Sequence, residues 1–250
     1  MTGEYEPLVE VYDWLVPEGL LEPEGAAAAF AAVLDAPPAG ARVLDCAAGT
    51  GQLAVGLALR GYDVVATDLS PGMVDRTRAL AGQRGVALRA EVRAWDDLGG
   101  LVLETFDAVF CVGNSLTHAH GRAGRRSALR AMRAVLQPGG VLAVTSRNWA
   151  LVRAAGSGLQ FADEVVVRHG ISGITALSWI VPERWDEPHT VDVGVALLEG
   201  SAVTPHVSRL TFWPFTHDEL QDDLRACDFQ VRTSSYEAHM ERYLVTAAAI

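Results

Sequence analysis

The amino-acid sequence predicts an α/β domain whose core is a mostly parallel sheet with helices on both faces. Three observations predict it. Between Arg42 and Ser146 strand and helix signals alternate regularly. The strand runs are continuously apolar, as strands buried on both faces are. The first strand also runs straight into a glycine-rich turn that opens a helix. Repetition of this kind is joined by right-handed crossovers.

Taken in order, the pattern places strands at 42–46, 64–67, 86–91, 106–112 and 141–146. A helix over 53–60 is closed by Gly61 as its C-cap. Ser70-Pro71 opens the next helix, with Ser as N-cap and Pro in the first helical position. A helix over 125–136 stops at Gln137-Pro138-Gly139-Gly140. After Asn148 the texture changes. Residues 163–168, 174–181, 190–198 and 206–213 read as strands separated by Gly, Pro and acidic residues, with no helix among them. An antiparallel β-meander insertion is therefore expected near 160–213. A helix over 216–227 follows, capped by Thr216, and 243–248 is the final strand.

At 250 residues, half of them hydrophobic, the chain holds enough apolar surface for one sizeable core. The net charge is −11, and all 20 cationic residues are Arg. Such a chain repels phosphate polymers and anionic lipid surfaces, so no nucleic-acid and no membrane partner is expected. Arg122, Arg125, Arg126, Arg130 and Arg133 are spaced as the wet face of a helix rather than as a phosphate patch. The three cysteines, Cys46, Cys111 and Cys227, are too few and scattered for a disulfide framework or a metal cluster. Met1 to Glu10 is acidic and carries no signal-peptide core, and no apolar run approaches the ~20 residues that span a bilayer. A cytoplasmic location is expected. Oligomeric state is not legible; a monomer or dimer is the expectation.

The chemistry gathers on the turn Asp45-Cys46-Ala47-Ala48-Gly49-Thr50-Gly51. In an open parallel sheet, ligands bind beyond the carboxyl ends of the strands. Glycines let the backbone approach a ligand, and the following helix start offers free N–H groups. With Ala54 the turn also reads as a dinucleotide loop, since Asp68 stands about 20 residues on. Asp45 lies where an acid can hold the amino end of a methionine moiety. Asp68 lies where a carboxylate can take both ribose hydroxyls.

With Gln137-Pro138-Gly139-Gly140-Val141-Leu142 before the fifth strand, these features resemble the class I S-adenosyl-L-methionine (SAM)-dependent methyltransferases over about 42–147. The resemblance implies a Rossmann-like, seven-stranded sheet and SAM as cofactor, with S-adenosyl-L-homocysteine as product. It implies cofactor contacts from Tyr12, Asp45, Ala47, Gly49, Gly51 and Leu53, then from Asp68, Leu69 and Met73. Cys111, Val112 and Gly113 complete the set. After the third strand, Ala94 stands at the usual adenine-acceptor position; Trp95 offers a flat surface for the ring, and Asp96 the polar contact.

The stretches Gly113-Asn114-Ser115-Leu116-Thr117-His118 and Arg147-Asn148-Trp149 narrow the resemblance to the glycine/sarcosine N-methyltransferase group. Arg209-Leu210-Thr211-Phe212-Trp213-Pro214 extends it. That group implies substrate contacts from Tyr12, Asn114, His118, Arg147, Trp149 and Trp213, with Asn114 and Arg147 on a carboxylate. Arg offers a planar, permanently charged fork for such a group. The chain departs from the group in having no Arg before Arg42 to clamp the cofactor's carboxylate, and Phe212-Trp213 brings no phenolic oxygen.

The expected single domain divides into a helical lid (1–41), a cofactor core (42–150), a β-meander substrate region (151–213) and a closing helix and strand (214–250). Methyl transfer to the amine of a small, amino-acid-like compound is the leading expectation. O- or C-methylation of a secondary metabolite, with His118 as the suspected base, is the second. An NAD(P)-dependent oxidoreductase and a non-catalytic cofactor-binding module are the remaining alternatives.

Overall fold

The computed structural model describes residues 3–34, 40–101 and 105–250. Two short helices, α1 (Pro23–Ala28) and α2 (Ala31–Leu34), follow a 3₁₀ segment over Glu6–Trp14. The central repeat runs β1 (Arg42–Asp45), α3 (Gln52–Leu59), β2 (Asp63–Asp68), α4 (Pro71–Gln83), β3 (Arg89–Val92), β4 (Phe106–Cys111), α5 (Gly121–Val135) and β5 (Leu136–Arg147). Then come α6 (Trp149–Ala155), β6 (Gly158–Phe161), β7 (Val166–Arg168), β8 (Ile171–Ile180), β9 (His189–Glu199) and β10 (Ala202–Phe212). The chain closes with α7 (His217–Arg225), β11 (Phe229–Ser234) and β12 (Arg242–Ala249).

The main sheet has seven strands in the order β11-β12-β5-β4-β1-β2-β3. The five strands from β5 to β3 are parallel, and β12 and β11 add antiparallel pairs at the other edge. Strand order reverses at β1, where β4 lies on one side and β2 on the other, so a crevice opens at its carboxyl end. Two cores cover the two faces. Leu44, Val109, Leu142 and Val245 pack against Leu129 and Met132 of α5 and Leu220 and Leu224 of α7. Val43, Val64, Phe110 and Ala143 pack against α3 and Ala26 of α1.

The expected meander is a separate antiparallel sheet, β10-β9-β8-β6, with β7 also pairing with β8. Its inner face meets the N-terminal segment in a third core of Leu8, Val11 and Trp14 with Trp179, Val191 and Phe212. Gly173 is required here, because a Cβ would stand 2.3 Å from the Trp14 ring. Asp13 fastens the same segment, accepting from Arg76 of α4 at 2.7 Å and pairing with His169 at 2.8 Å.

Several local expectations differ from the structure. Residues 149–155, read as helix-free, form α6, whose start follows Asn148 and whose end meets Gly156 at φ +74°. Two turns are too short to display a helical period. β11 was not expected; its residues alternate about Phe229 as an edge strand's do. The third strand begins three residues later than the apolar run suggests. The arginines of α5 are not one wet face. Arg125 is buried, and Arg122, Arg125 and Arg126 converge on the buried Asp223 of α7. Burial raises the Asp223 carboxyl, but the three guanidiniums outweigh it and hold the group below the usual carboxylate range. No helix among the described residues is long and apolar enough to cross a membrane.

Candidate active site

β1 carries the chain into the crevice at Asp45, and the turn beyond it is held by backbone bonds. Cys46 N–H donates to Phe110 O (2.9 Å) and Ala48 N–H to Thr67 O (3.0 Å). Gly49 and Gly51 have φ of +56° and +92°, and a Cβ on Gly51 would stand 2.8–2.9 Å from Thr77. Both positions therefore demand glycine. Asp68, at the end of β2, ties the turn to the next loop: Oδ2 accepts from Gly49 N–H and Oδ1 from Ser70 N–H, each at 2.9 Å. Burial raises its carboxyl against the pull of the Ser70, Gly49 and Leu69 amides.

Asp45 lies beneath this turn at 1 % exposure, and neither carboxylate oxygen has a hydrogen-bond partner among the described residues. Burial pushes its carboxyl up to about 7, the Ala47 amide opposing and Asp68 adding to the rise. A buried acid without a donor is costly, and a cationic or N–H-bearing ligand group would satisfy it.

A cavity of about 670 Å³ opens beside the turn. Ala47, Asp68, Leu69, Trp95 and Asp96 line one part of it; Tyr5, His118, Thr211 and Trp213 line another. Trp95 is fixed by its indole N–H, which donates to Cys46 O at 2.8 Å. His118 Nδ1 lies 2.9 Å from Thr211 O, so it carries the proton, and Nε2 is left to accept from the Tyr5 hydroxyl at 3.2 Å. Burial lowers the His118 pKa, leaving a neutral imidazole.

Toward the carboxyl ends of β4 and β5, Gly113 N–H donates to Thr145 Oγ1 (2.8 Å). Asn114 sits at φ +70°, and its Oδ1 accepts the Arg147 N–H at 3.0 Å. That bond fixes the amide orientation and leaves the Asn114 NH₂ to donate elsewhere. The Arg147 guanidinium lies 5.8 Å over the Trp179 ring, with no ion pair among the described residues. Burial and Arg242 lower its pKa to about 10, against Tyr5 and Glu241.

Not every predicted contact lies on the cavity. Tyr12 packs over Gly49, 3.8 Å from where its Cβ would be, and Asn114 and Arg147 meet behind it. The side chains of Leu53 and Cys111 belong to the two sheet cores, and Met73 is equally buried, so none of these three side chains lines the cavity. Val112 is half-buried against the α1–α3 core, so it offers a ligand only its backbone. Trp149 is 1 % exposed and packs on Trp179, His189 and Phe212, supporting the site from beneath rather than lining it. Its apolar bulk is what the sandwich between the two sheets needs. Two residues were missed. Tyr5 repeats Tyr12 seven positions earlier, a spacing that suits partners in one aromatic face, and their rings meet at 6.0 Å. Arg242 gave no local signal.

A family model described as a methyltransferase domain matches residues 43–140. The glycine/sarcosine N-methyltransferase of Parasynechococcus marenigrum is 33 % identical over 196 residues, covering 78 % of this chain and 65 % of that protein. The enzyme of the same description from Aphanothece halophytica is 30 % identical over 202 residues, covering 81 % and 71 %. Among solved structures, a SAM-dependent methyltransferase from Clostridium acetobutylicum superposes with a TM-score of 0.78 at 14 % identity, covering 99 % of both chains. SAM-bound CalS10, an amino pentose methyltransferase from Micromonospora echinaspora, gives 0.75 at 22 %, covering 96 % of this chain and 95 % of the other. The chain belongs to the class I SAM-dependent methyltransferases. It is an enzyme of that class with SAM as its cofactor, which sets aside the oxidoreductase and non-catalytic readings. The orphaned Asp45 carboxylate and the glycine turn held by Asp68 fit that cofactor's amino and ribose groups.

Proposed function

We propose that the protein methylates the amine of a small, amino-acid-like acceptor whose carboxylate is held by Arg147 and Asn114. The observation that carries this is the Arg147 guanidinium: withdrawn from solvent, stacked on Trp179 and without an acid among the described residues. An unpaired cation partly withdrawn from water is costly unless a ligand supplies its counter-charge. Two relatives that cover most of this chain are glycine/sarcosine N-methyltransferases, which supports an amine acceptor. The net charge of −11 and the capture of three arginines by Asp223 argue for a small molecule over a phosphate polymer.

SAM, when bound, supplies a methyl group already activated on a sulfonium. Asp45 holds the amino end, Asp68 keeps lone pairs free for the ribose hydroxyls, and Trp95 with Asp96 borders the adenine. Segment 3–14 covers the site: Glu4 accepts from Thr211 N–H (2.8 Å), and its carbonyl accepts from Ser208 (2.6 Å). Water is excluded and the reactants are aligned, which is most of what a displacement of this kind asks of a protein. The apolar surfaces of Trp213 and Ala119 on the cavity disfavour the protonated amine, so the acceptor nitrogen keeps its lone pair. Backbone carbonyls near Val112 and Gly113 would supply weak C–H···O contacts to the methyl group.

One observation favours a second reading, O-methylation. A neutral His118 whose Nε2 already accepts from Tyr5 is suited to draw a proton through that hydroxyl.

Incubation with labelled SAM and a panel of glycine, sarcosine, other amino acids, their methyl esters, and phenols tests these readings. Transfer to free amino acids, with Arg147→Ala raising KM for the acid but not for the ester, is expected. Transfer to phenols alone would reject the amine.

A further inference from the structure

Across the sheet from Arg147 stands a second arginine that the proposed function leaves unused. β12 pairs with β5 in antiparallel register, and Arg242 is the direct partner of Arg147. Opposed side chains leave the sheet on one face, with Cβ atoms ~5 Å apart. Thr145, two residues before Arg147 on that face, holds the Gly113 amide, so the face looks onto the loop after β4. Tyr5 interacts electrostatically with both guanidiniums, and Tyr12, packed over Gly49, with that of Arg242. The pair therefore stands under the segment that covers the site.

Like charges opposed across a sheet repel, and an acid between them is the ordinary remedy. None stands there. Among the described residues, neither side chain forms an ion pair or donates a hydrogen bond, and each guanidinium feels Glu241 without pairing with it. Elsewhere Arg76 pairs with Asp13, Arg93 with Glu91, Arg125 with Asp223 and Arg168 with Glu18, and Arg153 donates to backbone carbonyls. Arg242 remains open to solvent beside its half-buried partner, so a ligand reaches the pair without unfolding anything. Two guanidinium side chains borne at opposed positions of paired strands suit a carboxylate, whose two oxygens can accept from both.

We infer that Arg242 is a carboxylate-binding residue of the active site, acting in tandem with Arg147 on one anionic group. The inference rests on the proposed function in taking the ligand to occupy this cleft. Two ligands there carry a carboxylate, the acceptor and the methionine end of the donor, and the test separates them.

Binding is compared for wild type, Arg147→Gln and Arg242→Gln with two ligand pairs. S-adenosylhomocysteine is set against 5′-methylthioadenosine, which lacks the amino-acid end. Acetate is set against acetamide, with S-adenosylhomocysteine present. Arg242→Gln is expected to weaken at least one carboxylate about tenfold or more and to leave its neutral counterpart within about twofold. A loss on acetate assigns the pair to the acceptor, and a loss on S-adenosylhomocysteine assigns it to the donor. Arg242→Lys, which keeps the charge but not the fork, is expected to recover part of the loss. Wild-type binding of both carboxylates by Arg242→Gln overturns the inference. So does an equal loss on charged and neutral ligands, the mark of a purely structural residue. The acceptor reading fails separately: acetate then ignores both substitutions while Arg242→Gln still weakens S-adenosylhomocysteine.

Discussion

At the ends of β1 and β2, the glycine turn is tied together before any ligand arrives, Asp45 alone of its named groups being left without a partner among the described residues. Asp68 already holds the Gly49 and Ser70 amides, Trp95 is fixed to Cys46 O, and Thr77 donates to Gly49 O at 3.0 Å. Where β5 and β12 meet, the opposite holds, because Arg147 and Arg242 are register partners with no acid paired to either among the described residues. The first region is bound together by its own backbone and presents a finished shape to a ligand common to the whole class. The second keeps unspent charge that only a ligand completes. Preorganisation suits the part that must always bind the same molecule, and unpaired charge suits the part that selects.

Asp68→Ala breaks the first region most severely. It orphans two amides and removes the ribose acceptor, each worth about 1–3 kcal/mol. A fall of about 100-fold or more in S-adenosylhomocysteine affinity is expected by calorimetry, with a lowered Tm. A variant that bound normally would show that the preformed turn does not depend on Asp68. Arg147→Ala should act on the second region alone, raising KM for a carboxylate acceptor about 10- to 100-fold at little cost to S-adenosylhomocysteine binding.

Asp45→Asn should separate stability from binding. Asp45 ionises near pH 7 in the folded protein and near 4 unfolded, so between those values the native state holds the proton that the unfolded state has lost. Stability therefore falls as pH rises through that window and then levels. Asn removes the penalty, so the ligand-free variant should be more stable than wild type by up to a few kcal/mol at pH 8 and no more stable at pH 4, in denaturant titrations. Its affinity for S-adenosylhomocysteine should fall while that for 5′-methylthioadenosine holds. Trp95→Phe is the mildest change: it keeps a stacking surface and loses one hydrogen bond, about 1 kcal/mol, which should appear as a small Tm decrease.

The donor region was legible because its chemistry is local. Gly49 and Gly51 must be glycine for a backbone reason, and Asp68 and Trp95 follow their strands directly. Leu53, Met73 and Cys111 stand near the turn in sequence, but the sheet cores hold the Leu53 and Cys111 side chains and that of Met73 is buried. The second region was legible only at Arg147 and Asn114, which share two short motifs. Trp149 lies beside them in sequence but faces into the packing between the two sheets. Tyr5 and Arg242 come from opposite ends of the chain.

By itself, the sequence determined the strand–helix alternation, the glycine turn, the two acids that close its strands and the meander after Asn148. Each is set by backbone conformation or a short period. The tertiary structure decided which charges remain unpaired. It left Asp45 without a donor, drew three arginines onto Asp223, and set Arg242 opposite Arg147. Whether a charge is satisfied depends on what stands across from it, and strand register alone brought residues of β5 and β12 face to face.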